Sequence, residues 1–236
     1  MKKQLMAGLA VGLFSLGVAG IASATSFTVG FNTGSVNTTT ALTGYSTDGA
    51  MMDGMGVTAF FAGGSSQTLY WADLSPTSGG VSGLGWSLSE SGDTYGGNWS
   101  LTSTSAAISK IAIDAGIGNT VFDTLHVPDP GTPGSANGYT LYLTSPNMWD
   151  IAVTYSNEVA LTAFLPVGDL YRSLSIDFLN NINFGPGQSL TFVADTDNLS
   201  LAGDLKPVPE PATMLLFGTG LAGLAGFARR RVTKKA

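Results

Sequence analysis

The sequence has no cysteine, a single histidine (His126) in 236 residues, and only 11% charged residues. Without a thiol there is no thiolate nucleophile, no disulfide and no cysteine-ligated metal. A chain of this length can bury enough apolar surface to fold without staples, so the absence suits an exported protein as well as a cytosolic one. One histidine excludes an intrachain His-based zinc site. It also leaves His126 as the sole base for a Ser-His-Asp triad, with no G-x-S-x-G elbow to present a serine, so His126 is read as a loop residue. Cations are scarcer still: residues 25–206 hold three (Lys110, Arg172 and Lys206) against fifteen carboxylates, a formal net charge of −12. So acidic a body repels phosphate backbones, and no basic stripe with interleaved aromatics opposes this; nucleic acid is not an expected partner.

What the middle of the chain has in quantity is short β-patterned segments. "SFTVGF", "VTAFF", "TLYWA", "LGWSL", "NWSLT", "ISKIAID", "YTLYL", "IAVTYS", "VALTAFL", "LSIDFL" and "SLTFVAD" are rich in β-branched and aromatic residues, alternate in polarity, and are divided by Gly, Asn, Asp, Ser and Pro. About eleven strands with no sustained helical period predict an all-β fold, a single β-sandwich or jelly-roll-like domain over residues 25–200. "WSLSESGDTYGGNWSLTST" predicts a hairpin, with Gly96, Gly97 and Asn98 placed for positive φ near its turn. The stretch 126–139, with three prolines and three glycines, is read as a long surface loop because strands of the same character resume after it.

Both ends read as addresses. Residues 1–24 carry two lysines, an apolar run and the small residues Ala22 and Ala24, the pattern of a secretory signal peptide cut after Ala24. Residues 201–211 form a linker containing Pro209, Glu210 and Pro211. Residues 212–228 are uncharged and, as a helix, would span about 25 Å, just enough to cross a membrane. Arg229, Arg230 and Arg231 open a basic tail, residues 229–236, that the positive-inside rule places on the cytoplasmic flank, with the preceding domain outside. Gly218, Gly220, Gly223 and Gly226 would weaken such a helix in water, which argues against a buried soluble helix. Pro207, Pro209 and Pro211 fix φ and remove three donors, so the strip above the membrane should be extended and open to a groove, with Glu210 its one charge.

"VPEP", an apolar helix and a terminal arginine cluster, together with a signal peptide, resemble the PEP-CTERM sorting signal of Gram-negative bacteria; the tail also resembles that of some ice-binding proteins. The resemblance implies that an integral-membrane exosortase recognises Pro209, Glu210 and Pro211. It also implies processing of the protein from an inner-membrane intermediate during export to the cell surface, commonly where exopolysaccharide is made. It covers about 25 residues, and the five residues after the arginines run past the minimal pattern.

In the body the sites are sparser. Asp195 and Asp197, with Asn198, offer hard oxygen ligands at alternate positions and are the first candidates for calcium, followed by Asp48 with Asp53 and Asp123 with Asp129; none matches an EF-hand loop. Glycoside hydrolysis needs two carboxylates, and Glu90, Glu158 or the aspartates could supply them, but no spacing singles out a pair, so the chain is read as a non-enzyme. Trp71, Trp86, Trp99 and Trp149, with Tyr70, Tyr95, Tyr139 and Tyr142, are candidates for stacking on sugar rings, although tryptophans in a β domain usually fill its core. Three functions are therefore weighed: a surface or matrix protein associated with polysaccharide, a calcium-assisted lectin-like module that should show a cluster of exposed aromatics, and a glycan hydrolase.

Overall fold

The computed structural model describes residues 26–44, 46–125, 131–135, 137–145, 149–180 and 183–200. The expected signal peptide, His126, Asp129 and everything after Ser200, including the sorting motif and the expected membrane helix, lie outside them. Among the described residues there is no α-helix, and no helix long and apolar enough to cross a membrane.

Sixteen strands account for most of the described residues: β1 (Phe27–Asn32), β2 (Asn37–Thr39), β3 (Ala41–Gly44), β4 (Gly56–Phe61), β5 (Ser66–Tyr70), β6 (Ala72–Ser75), β7 (Ser78–Gly83), β8 (Trp86–Ser91), β9 (Asn98–Ser103), β10 (Ile108–Asp114), β11 (Thr120–Asp123), β12 (Tyr142–Leu143), β13 (Ile151–Leu161), β14 (Leu170–Phe178), β15 (Gln188–Val193) and β16 (Thr196–Ser200). One sheet runs β12-β15-β9-β8-β7-β6, antiparallel throughout. The other, ten-stranded, follows β3-β16-β11-β14-β10-β4-β5, with β13 on the far edge of β14. β10 and β11 follow one another along a single edge of β14, separated by a 3-10 turn at Ala115–Gly118 that ends on Asn119 in the left-handed region (φ 55°). β1 and β2 likewise follow one another along β13, both in parallel register.

Alternation decides what each strand buries. In β8, Trp86, Leu88 and Glu90 point inward while Ser87, Ser89 and Ser91 point out; β13 and β14 do the same with Ile151, Val153 and Tyr155, and with Leu174 and Ile176. The inward faces of both sheets meet in one core, which is the two-layer arrangement expected of a sandwich. Rings join the layers: Trp99 of β9 lies 6.2 Å from Phe122 of β11 and 5.2 Å from Trp71, centroid to centroid. Three of the buried indoles have acceptors: Trp99 Nε1 donates to Ala194 O at 2.9 Å, Trp71 Nε1 to Gly49 O at 2.7 Å and Trp86 Nε1 to Gln67 Oε1 at 2.9 Å.

Several local expectations need correction. "TLYWA" is not one strand: Trp71 is the corner at which the chain leaves β5 in the large sheet and enters β6 in the small one. "IAVTYS" and "VALTAFL" merge into the single strand β13, bent where Asn157 takes φ 60°. The β8–β9 hairpin forms as expected, with Leu88 opposite Leu101. Its positive φ falls on Gly92 (97°) rather than on Gly96, Gly97 or Asn98, because the turn is built from Asp93, whose carbonyl accepts the amides of Gly96 and Gly97. The strands lying wholly or mostly outside the eleven β-patterned segments, β2, β3, β6, β7, β11 and β16, are short or glycine-rich.

Candidate functional site: a tyrosine cluster beside a buried carboxylate seam

Past the end of β8, Asp93 accepts the amide of Tyr95 on its side chain (3.1 Å), a local turn that leaves the Tyr95 ring outside. The chain approaching β12 brings Tyr139 and Tyr142 to the same place, at an edge of the small sheet. Tyr95 and Tyr139 are 4.6 Å apart between centroids and tilted by 45°; Tyr139 and Tyr142 are 6.1 Å apart and edge to face. The Tyr139 hydroxyl donates to that of Tyr95 at 3.1 Å. All three rings stay 36–43% exposed, an aromatic surface open to solvent. Such faces, rimmed by hydroxyls and by the Thr144–Asn98 hydrogen bond (2.7 Å), suit a ligand with apolar C–H faces and many hydroxyls.

Both loops that carry these rings are held by buried acids. Thr94, next to Tyr95, donates its hydroxyl to Asp195 at 3.2 Å, and Asp195 also accepts the amide of Thr196 at 2.9 Å. Residues 131–135, upstream of Tyr139, are tied at two points: the Thr132 hydroxyl donates to Asp169 (2.6 Å), and Ser135 donates to Asp123. Gly138 lies so close to the Asp123 carboxyl that a Cβ there would overlap it. Asp123, Asp169, Asp195 and Asp197 are all at most 3% exposed, and Glu158 nearby is 5% exposed.

Among the described residues no cation balances them. The two basic side chains among the described residues are elsewhere, Lys110 with Asp177 (3.2 Å) and Arg172 with Asp114 (2.8 Å). These ion pairs line a shallow groove of about 530 Å³ on the outer face of the large sheet, so the carboxylates of that groove are committed to partners. In the seam, burial raises the Asp123 carboxyl to about 8, with Asp197, Asp195 and Asp169 adding repulsion against the Ser135 hydrogen bond. Burial and Asp197 lift Asp195 to about 7, against the hydrogen bonds from Thr94 and Thr196; burial lifts Asp197 to about 6. Asp197 Oδ2 has no hydrogen-bond partner. The seam continues to Glu90, 1% exposed with no partner for either carboxyl oxygen, raised to about 8 by burial first, then by Asp48 and Asp93, with the Gly49 and Ser91 amides as partial offsets.

The expected calcium ligands Asp195 and Asp197 are therefore buried in this seam, Asp195 as the anchor of the Tyr95 loop. Among the described residues no three His, Cys, Asp or Glu side chains converge closely enough to hold a metal ion. Asp48 caps a 3-10 turn through the Ala50 and Met51 amides, a structural use of its carboxylate. Asp169 was not singled out from the sequence, since nothing near it in the chain marks it as different from a turn former. All four tryptophans take the core places usual for tryptophans in a β domain, from 0 to 7% exposed, and of the candidate stacking rings it is the tyrosines that are exposed.

Fold and chain ends together define an all-β protein that carries, after its sandwich, a segment made to be handled by another protein. Residues 207–231 match the family model of the PEP-CTERM protein-sorting motif; the chain is a PEP-CTERM sorting-signal protein, exported and sorted by an exosortase through a membrane-anchored stage toward the cell surface. No curated protein and no solved structure matches the chain.

Proposed function

We propose that this protein is a structural or adhesive component of the surface of a Gram-negative cell, working in association with exopolysaccharide by binding and not by catalysis. In this reading Tyr95, Tyr139 and Tyr142 are the platform on which sugar rings stack, and the buried seam keeps the two loops in register so that the platform is preformed. The observation that carries it is the exposed tyrosine cluster, the feature expected of a lectin-like surface, on a chain bearing the PEP-CTERM motif. During export the signal peptide 1–24 is removed, the segment 212–228 holds the precursor in the inner membrane with Arg229, Arg230 and Arg231 on the cytoplasmic side, and exosortase reads Pro209, Glu210 and Pro211.

A second reading adds calcium at Asp195 and Asp197. The unpartnered Oδ2 of Asp197 favours it, because an ion would satisfy an oxygen that now has nothing. One experiment addresses both: glycan-array binding by the mature protein with calcium and with chelator. Tyr95→Ala and Tyr139→Ala should each weaken binding by up to about tenfold, the worth of one stacked ring. Loss of binding in chelator selects the calcium-assisted form. A wild-type protein that binds no glycan under either condition, or a double variant that binds as well as wild type, would sink the proposal.

A further inference from the structure

The loop joining β13 to β14, residues 162–169, exposes no charged side chain, its one acid Asp169 being buried at the base, and its four consecutive apolar residues Ala163, Phe164, Leu165 and Pro166 are all exposed. Phe164 is 51% and Leu165 86% exposed. A run of that kind on a soluble surface is unfavourable in water unless something covers it. Leu125, 58% exposed, lies near the base of the same loop, because the amide and hydroxyl of its neighbour Thr124 both donate to Asp169 O at 2.8 Å.

This apex stands next to the point where the chain leaves the sandwich. Leu161 pairs with Thr39, and Thr162 donates its amide (2.7 Å) and hydroxyl (2.8 Å) to Thr39 O. Ser200 pairs with Ala41, two residues further on, a step of at most about 7 Å. From Ser200 the eleven residues 201–211 reach at most roughly 40 Å before the apolar run 212–228 begins.

We propose that residues 163–166, with Leu125 near the base of their loop, rest in the headgroup region of the membrane while the C-terminal segment is still in lipid. The inference rests on the membrane-borne precursor proposed above. A tether leaving from beside the apex turns that end of the sandwich toward the bilayer and makes contact intramolecular, so that a few apolar side chains, too weak to bind free in solution, suffice. Docking in this way holds the Pro209-Glu210-Pro211 strip close to the membrane plane, within reach of an integral-membrane enzyme. When the tail is cut the tether is lost, and the apex leaves with the released body.

The cysteine-free chain makes the test direct. An environment-sensitive fluorophore is attached to Leu165→Cys, Leu221→Cys or Leu84→Cys in the full-length precursor reconstituted into phosphatidylethanolamine/phosphatidylglycerol vesicles. Leu84, 82% exposed in the β7–β8 turn beside residues 104–106, marks the opposite end, where β10 begins; β10 is antiparallel to β14, which starts at the apex. The labels at 165 and 221 should shift to the blue and be quenched by lipid-borne quenchers, with the label at 84 unchanged. A lipid signal at 221 with a water-like signal at 165 overturns this inference and leaves the membrane-borne precursor standing. A water-like signal at 221 overturns both. A signal at 165 that grows with protein density and resists the lipid-borne quencher assigns the apex to a second copy of the chain, and likewise overturns it.

Discussion

Glu90 sits on the inward face of β8 with both carboxyl oxygens unpartnered, and its folded-state value near 8 lies well above the ordinary 4.5. The folded form disfavours the carboxylate, so this group costs nothing while it is protonated in both states, below about pH 4.5. As pH rises from there the unfolded chain ionises first, stability falls, and the loss levels off above about pH 8. Asp123, Asp195 and Asp197 titrate with the same sign, so they too lower stability as pH rises between about pH 4 and 8. Glu90→Gln, which cannot ionise, should melt at or slightly below the wild-type temperature at pH 5 and above it at pH 9. Parallel melting curves for the two proteins across that range would show that Glu90 does not titrate as described. The sequence offered Glu90 only as one acid among many, because burial and the absence of a cation are properties of the folded surroundings. The tyrosines were legible as candidates one by one; their convergence was not, since Tyr95 and Tyr139 lie 44 positions apart.

Among the elements, β7 shows why pattern alone undercounts strands. Its sequence, SGGVSG, has one β-branched residue and reads as a linker, yet it is a full partner of β8. Its glycines answer a packing demand: a Cβ on Gly79 would overlap Gly49 O and the Trp71 indole nitrogen, the two atoms that hydrogen-bond each other at the corner between sheets. Gly79→Ala should therefore cost about 1–3 kcal/mol, read as a lowered denaturant midpoint. Gly63→Ala, where nothing stands within 4 Å, should leave the midpoint nearly unchanged. Equal midpoints for Gly79→Ala and wild type would mean that the corner is not close-packed. β11 was missed for a related reason. TVFD is four residues, all buried, so there is no alternation to detect. The long alternating segments, by contrast, settled the all-β class before any coordinates.

At the scale of the molecule, charge is segregated. Six of the body's acids, Glu90, Asp123, Glu158, Asp169, Asp195 and Asp197, are buried, its two described cations lie on the outer face of the large sheet, and half of all basic residues crowd into the last eight positions. That arrangement made the ends legible: the sorting motif is a continuous run of residues, 207–231, so its sequence alone is enough to match it. The tyrosine cluster is assembled from distant loops and left no such trace. Replacing Pro209, Glu210 and Pro211 with alanines should leave the melting temperature of the body unchanged and retain the protein in the membrane fraction, measured by fractionation of cells making each form. Normal delivery of that variant to the cell surface would refute the role given to the motif.

The pairing of β1 has a consequence for export. Its neighbour is β13, reached in parallel register, and the first described amide, of Ser26, donates to Asp150, 124 positions downstream. A chain threaded outward from its N-terminus thus emerges with a leading strand that has nothing to pair with until two-thirds of the polypeptide has crossed. Premature locking of the front is precluded by connectivity itself, and the sandwich closes only when its last third arrives.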